Sequence, residues 1–173
     1  MVMGCYDERG PGPLHICKKG DKINASSFAL YIRNEMLPFF EQRNKCCGLF
    51  DNAKPHKGAA FPEAHINCHA LVDNAKPHKG CAQAVFTELG IMASDHPPNS
   101  PDMNPIELVW QRMAYMVNSN LPWETGFTYE RFEREIQRAW LACATRDLFL
   151  KDMKHVASIL KKVEENKGGN MFE

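Results

Sequence analysis

The sequence predicts an α/β fold in which a mixed sheet is flanked by helices. Three observations carry it. Two short apolar stretches near the start are separated by a turn-forming cluster, a strand–helix–strand order follows in the middle, and the last third holds three segments with apolar residues at helical spacing. At 173 residues the chain is long enough for one domain with a real core and short for two.

Met1 to Tyr6 and Pro13 to Cys17 read as two strands of a hairpin, joined by Asp7-Glu8-Arg9-Gly10-Pro11-Gly12. Asn24 is a good N-cap, and Phe28, Tyr31, Ile32 and Met36 recur at helical spacing until Pro38 interrupts them. The middle holds an internal repeat: residues 51–58 and 73–80 both spell DNAKPHKG, offset by 73 − 51 = 22 positions. Two copies do not make a solenoid, which usually needs three or more, so this is a local duplication. Each copy follows an apolar stretch, Gly48-Leu49-Phe50 or Ala70-Leu71-Val72, so Asp51 and Asp73 each stand at a strand's C-terminal end. Only one can occupy the same place in a sheet, and the duplicated segment is expected to be looped out.

Ala82 to Leu89 reads as a short helix stopped by Gly90, and Ile91 to Ser94 as a strand. His96 to Pro101 contains three prolines and must be an extended loop. Asn104 then caps a helix that begins at Pro105 and buries Ile106, Val109, Trp110, Met113 and Val117. Two further helices are expected, one with Phe132, Ile136, Ala139 and Trp140 inward, the other with Phe149, Met153, Val156, Leu160 and Val163 inward and ending at Lys167-Gly168-Gly169.

Lys plus Arg and Asp plus Glu are equal at 21 each, so the chain lacks the bulk positive charge that holds a nucleic acid by phosphate neutralisation alone. Any DNA contact must be local or made elsewhere. Seven scattered cysteines, an odd number, favour a reducing compartment. No stretch approaches the roughly 18 apolar residues of a membrane span, and no membrane partner is expected.

The sharpest pair for chemistry is Asp73 at a strand end and Glu107 on the first turn of a helix, with 107 − 73 − 1 = 33 residues between them. Strand C-termini in an α/β sheet form the crevice where ligands bind, and a helix across that end can deliver a second carboxylate. Two hard oxygen donors suit Mg²⁺ or Mn²⁺. A pair of such ions supports phosphodiester cleavage or strand transfer. Glu107 also has a structural reading as the third residue of a capping box that reaches back to the Asn104 amide. Asp73 can likewise initiate a turn, and for Asp51 that reading is favoured. His78 is either an orienting group or a loop histidine satisfied by backbone. His65, Cys68 and His69 lack the paired spacing of structural zinc sites.

The words around these acids are more specific than their spacing. DNAKPHKG followed by PPNSPDMNPIELVW resembles the catalytic domain of mariner-type (Tc/mariner superfamily) DDE transposases, which carry DNA-x-x-H after the second catalytic acid and SPDxNPIExxW around the third. The start, MVMGCYDERGPGPLHI, looks like the strand pair after the family's first catalytic strand, and the tail resembles its closing helices. The resemblance covers nearly all of residues 1–173, as one catalytic domain with the duplicated segment at 51–58 and 73–80.

It implies a ribonuclease-H-like mixed sheet flanked by helices, with three acids holding two Mg²⁺ or Mn²⁺ ions, Asp73 as the second acid and Glu107 as the third. The family's usual gap between those two is one residue longer. Asp51, 107 − 51 − 1 = 55 residues before Glu107, reads as the duplicate and the lesser candidate. The first acid belongs on a central strand upstream of the hairpin, so the chain is expected to lack it, to be truncated and to be inactive alone. Asp7 falls in the hairpin turn and is no substitute. DNA at transposon ends, a homo-oligomer or full-length transposase subunits, and a nuclear location are the implied partners and setting. The alternatives are a non-catalytic DNA- or transposase-binding module and a functionless relic.

Overall fold

The structure is a computed structural model that describes residues 2–18, 20–21, 29–42, 47–50, 68–72, 83–88, 91–95 and 100–168. Its strands are β1 (Val2–Asp7), β2 (Gly10–Ile16), β3 (Cys47–Phe50), β4 (Cys68–Val72) and β5 (Ile91–Asp95). Its helices are α1 (Leu37–Gln42), α2 (Gln83–Glu88), α3 (Pro105–Asn120), α4 (Tyr129–Cys143) and α5 (Arg146–Glu165). The five strands form one mixed sheet in the order β2-β1-β3-β4-β5. β1 is antiparallel to both β2 and β3, whereas β3, β4 and β5 run parallel. This is the expected class.

The hairpin is tighter than expected. Asp7 pairs with Gly10, so only Glu8 and Arg9 form the turn and Asp7 is a buried strand residue. Gly10 at φ +117° supplies the backbone conformation that the turn needs. β2 carries Pro11 and Pro13 inside the strand, which is tolerable because, among the described residues, β2 is the outer strand of the sheet with no ladder on its far side to break.

The helix around Tyr31 does not stop at Pro38. A π-helical turn, Ile32–Met36, leads into α1, and the Leu37 N–H reaches back five residues to the Ile32 carbonyl. Proline has no N–H to donate and crowds the carbonyl four residues back. The wider turn immediately before it accommodates both effects.

The sheet includes the strand ahead of each DNAKPHKG copy. The strand ahead of the first copy, β3, lies at the centre between β1 and β4, and the strand ahead of the second copy is β4 itself. Both strands fit because they take neighbouring places. The repeats themselves, residues 51–58 and 73–80, lie outside the described residues.

Helices cover β1 from both sides. Gly4 approaches Trp110 and Trp140, while a Cβ on Gly12 would lie 2.6 Å from the Cys5 carbonyl and 2.9 Å from the Phe39 ring. Residue 12 therefore has to be glycine for the hairpin and α1 to pack this closely. On the side of α3, α4 and α5, the core joins Tyr6 to Ile106, Val109, Met113, Val117, Ile136, Ala139, Trp140 and Phe149. Tyr6 meets Phe149 edge-on at 5.1 Å, and Trp110 stacks on Trp140 at 5.4 Å. Trp110 is half-buried against this core rather than fully inside it. The Trp140 indole donates to the Gly12 carbonyl at 2.9 Å and ties α4 to the outer strand.

α5 turns a different face inward from the one expected. Phe149, Asp152, Val156 and Ile159 are buried, whereas Met153 and Leu160 are 40% and 46% exposed. The buried acid is paid for by its partners: Arg112 from α3 forks onto both Asp152 oxygens, and the Tyr6 hydroxyl donates to Oδ2 at 3.4 Å.

Candidate active site

The parallel strands set the geometry. β3, β4 and β5 point the same way, so their C-terminal residues Phe50, Val72 and Asp95 lie at one edge of the sheet. β4 and β5 pair from Cys68 with Ile91 to Val72 with Asp95. Asp95 is thus an acid at that edge which the sequence pattern passed over, because the strand was expected to end at Ser94. A strand ending in Ser-Asp before a proline-rich loop was the available signal. In chain order Asp51 follows β3 and Asp73 follows β4. Both lie outside the described residues, as do His78 and His65.

Asp7 is at the other edge. Cys5 pairs with Phe50 and Tyr6 with Leu49, so β1 reaches Asp7 at the N-terminal end of β3. Its Oδ1 accepts the Arg9 amide at 2.8 Å, and Arg9 Nε lies 3.8 Å from Oδ2, which makes the carboxylate part of the hairpin turn.

Glu107 is carried by the start of α3, which is fixed on several sides. A 3₁₀ turn, Pro101–Met103, precedes it, and the Asn104 amide donates to the Pro101 carbonyl at 3.1 Å. That amide is engaged in the turn, so the capping-box bond from Glu107 is not needed to satisfy it. Asn104 is extended, its side chain accepts from the Ile106 amide at 3.4 Å, and its carbonyl receives the Glu107 amide at 3.0 Å. Asn104, Pro105 and Ile106 are buried beside it, whereas Glu107 is half-buried. Glu107 is therefore held on a rigid base, and the N-terminal end of a 16-residue helix favours its negative charge. α3 packs against β3 as well as against α4 and α5.

The titratable groups with shifted equilibria that surround α3 and α5 belong to the core. Burial, reinforced by the Asp152 charge, pushes the Tyr6 hydroxyl far above its ordinary value, and the Asp152 hydrogen bond raises Arg112. This cluster is a structural ion pair between helices and sheet. Among the described residues, no three His, Cys, Asp or Glu side chains converge to hold a metal ion.

The family model for DDE superfamily endonucleases matches residues 1–128, from the hairpin through α3. The chain belongs to this superfamily. Its endonucleases generally use divalent metal ions, and membership implies DNA as the substrate. No curated protein sequence matches the chain. Among the described residues, no helix is long and apolar enough to cross a membrane. The matched region ends before α4, yet Ile136, Trp140 and Phe149 share one core with Tyr6 and Val109.

Proposed function

We propose that residues 1–173 form one catalytic domain of the mariner-type lineage, ribonuclease-H-like in fold, which cleaves DNA phosphodiesters and transfers strands at a site built on Asp73 and Glu107. The single observation that carries this is the superfamily match together with Glu107 on the anchored first turn of α3. The shared core of residues on either side of position 128 supports the one-domain reading.

The donor set fits Mg²⁺ or Mn²⁺, because carboxylate oxygens are the hard ligands that these ions take. When bound, such ions activate the attacking water or hydroxyl and stabilise the leaving oxygen. Asp73 and Glu107 would hold them. Asn104 and Pro105 set the direction from which Glu107 approaches, and the buried Ile106 prevents the helix start from shifting. The reading carries with it action on transposon ends in the nucleus and assembly with like subunits.

The test is nicking of supercoiled plasmid by the purified chain in Mn²⁺. Any metal-dependent nicking is expected to fall by about a hundredfold or more in Glu107→Gln and in Asp73→Asn. Nicking that survives both substitutions would exclude these acids as the site.

A further inference from the structure

α5 carries two apolar stripes, and the fold uses one of them. Phe149, Val156 and Ile159 face the core, whereas Leu150, Met153 and Leu160 are 41%, 40% and 46% exposed, and Ala157 is exposed in line with them. These outer residues are spaced alternately by three and four positions. That is the 3.5-residue period along which one helix packs on another. The stripe extends four positions each way, to Arg146 in the first turn and Glu164 in the last, and both are exposed. α5 lies beyond residues 1–128, so the superfamily match does not reach this face.

The charges at the two ends of the stripe run against the helix itself. A helix N-terminus favours acids and a C-terminus favours bases, and away from the stripe α5 obeys this, with Asp147 in its first turn and Lys162 in its last. On the stripe the base stands at the start and the acid at the finish. A second helix running the other way corrects both, because its C-terminus lies beside Arg146 and its N-terminus beside Glu164. The stripe is symmetric about position 155, so a second α5 meets that requirement. Antiparallel and in register, Leu150 meets the partner's Leu160, Met153 meets the partner's Ala157, and Arg146 meets the partner's Glu164. A parallel pair would set arginine on arginine and glutamate on glutamate. Lys154 is exposed and flanks the middle of the stripe in both copies, and its long stem lets the ammonium turn away to water.

We infer that the outer face of α5 is an interface between two copies of this chain, packed antiparallel along Leu150, Met153, Ala157 and Leu160, with Arg146 and Glu164 closing its two ends. The same patch serves both protomers, so the contact is isologous and closes as a dimer. The apolar centre supplies the attraction, and the two pairs of Arg146 with Glu164 set direction and register. This gives assembly with like subunits a defined surface, and it does not depend on the catalytic reading of Asp73 and Glu107.

The experiment is sedimentation velocity on the full chain over a concentration series, in low-salt buffer without divalent metal. A monomer–dimer equilibrium is expected, and Leu150→Asp should abolish it by burying an unpaired carboxylate in the seam. Arg146→Glu and Glu164→Arg should each weaken the dimer by about tenfold or more. The two reversals combined should restore it, because each pair is rebuilt with its signs exchanged. Dilute samples of the charge variants should melt no lower than the unsubstituted chain, since each reversal suits the dipole of α5 itself. A chain that stays monomeric at every concentration overturns the inference and leaves the nicking test of Asp73 and Glu107 untouched. A dimer indifferent to Leu150→Asp lies on another surface, and one that the double reversal fails to restore is not antiparallel in this register; either result defeats the proposal. A monomer that binds vesicles of phosphatidylcholine and phosphatidylserine, and loses them in Leu150→Asp, would give the stripe to a membrane surface instead.

Discussion

Asp152 stands where the helical period of α5 calls for an apolar residue, and two groups from distant parts of the chain make it tolerable. Arg112 binds both of its oxygens, Tyr6 adds a hydroxyl, and the Arg112 Nη2 also reaches the Cys143 carbonyl at 3.4 Å. Removing the acid strands a largely buried guanidinium, so Asp152→Ala is expected to cost about 3 kcal/mol in urea unfolding. Replacing Arg112 and Asp152 together by methionine and leucine should recover most of that loss. Buried tyrosines and thiols set an alkaline limit. Burial raises Tyr6 and Tyr31 well above 10.0, and burial raises the Cys17 and Cys143 thiols from 9.0. A raised value in the folded state means that the fold keeps protons which the unfolded chain has released. Stability is therefore whole below pH 9.0 and falls as pH rises past 9.0 and then 10.0. Unfolding free energy measured across that range should decline, with a shallower slope in Tyr6→Phe. A flat profile would contradict the burial of these groups.

At the scale of elements, what the sequence revealed depended on how local the cause was. α3 was fully legible, since Asn104, Pro105 and the apolar spacing from Ile106 to Val117 are all local signals and all appear in the structure. α5 was legible as a helix but not in its facing. Reading Met153 and Leu160 as inward avoided placing an acid in the core, and only the tertiary partners Arg112 and Tyr6 reverse that choice. Two substitutions separate the faces. Ile159→Ala should cost about 2–4 kcal/mol, as deletion of a buried aliphatic side chain does, whereas Leu160→Ala should cost under about 1 kcal/mol. Chemical denaturation of both variants decides it, and a larger loss for Leu160 would put the expected face inward after all. The passage of the helix through Pro38 was hidden for a similar reason, because a π turn leaves no pattern in the residues that form it.

For the whole molecule, the least legible feature was the place of β3. Sequence shows that two strands resemble each other, but not whether they compete for one position or occupy two, because strand order is settled by long-range pairing. The structure uses both and puts β3 at the centre, where it joins the antiparallel hairpin to the parallel pair β4 and β5. A central strand has ladder bonds on both sides, whereas the outer strand β2 already accommodates Pro11 and Pro13. Leu49→Pro should therefore destabilise the chain by about 3 kcal/mol or more, because the ring removes a ladder donor and clashes within a strand that has two neighbours. Thermal melts should show a lower midpoint and a loss of cooperativity, as the hairpin with its helices separates from β4 and β5. If β3 were looped out, Leu49→Pro would melt like the unsubstituted chain.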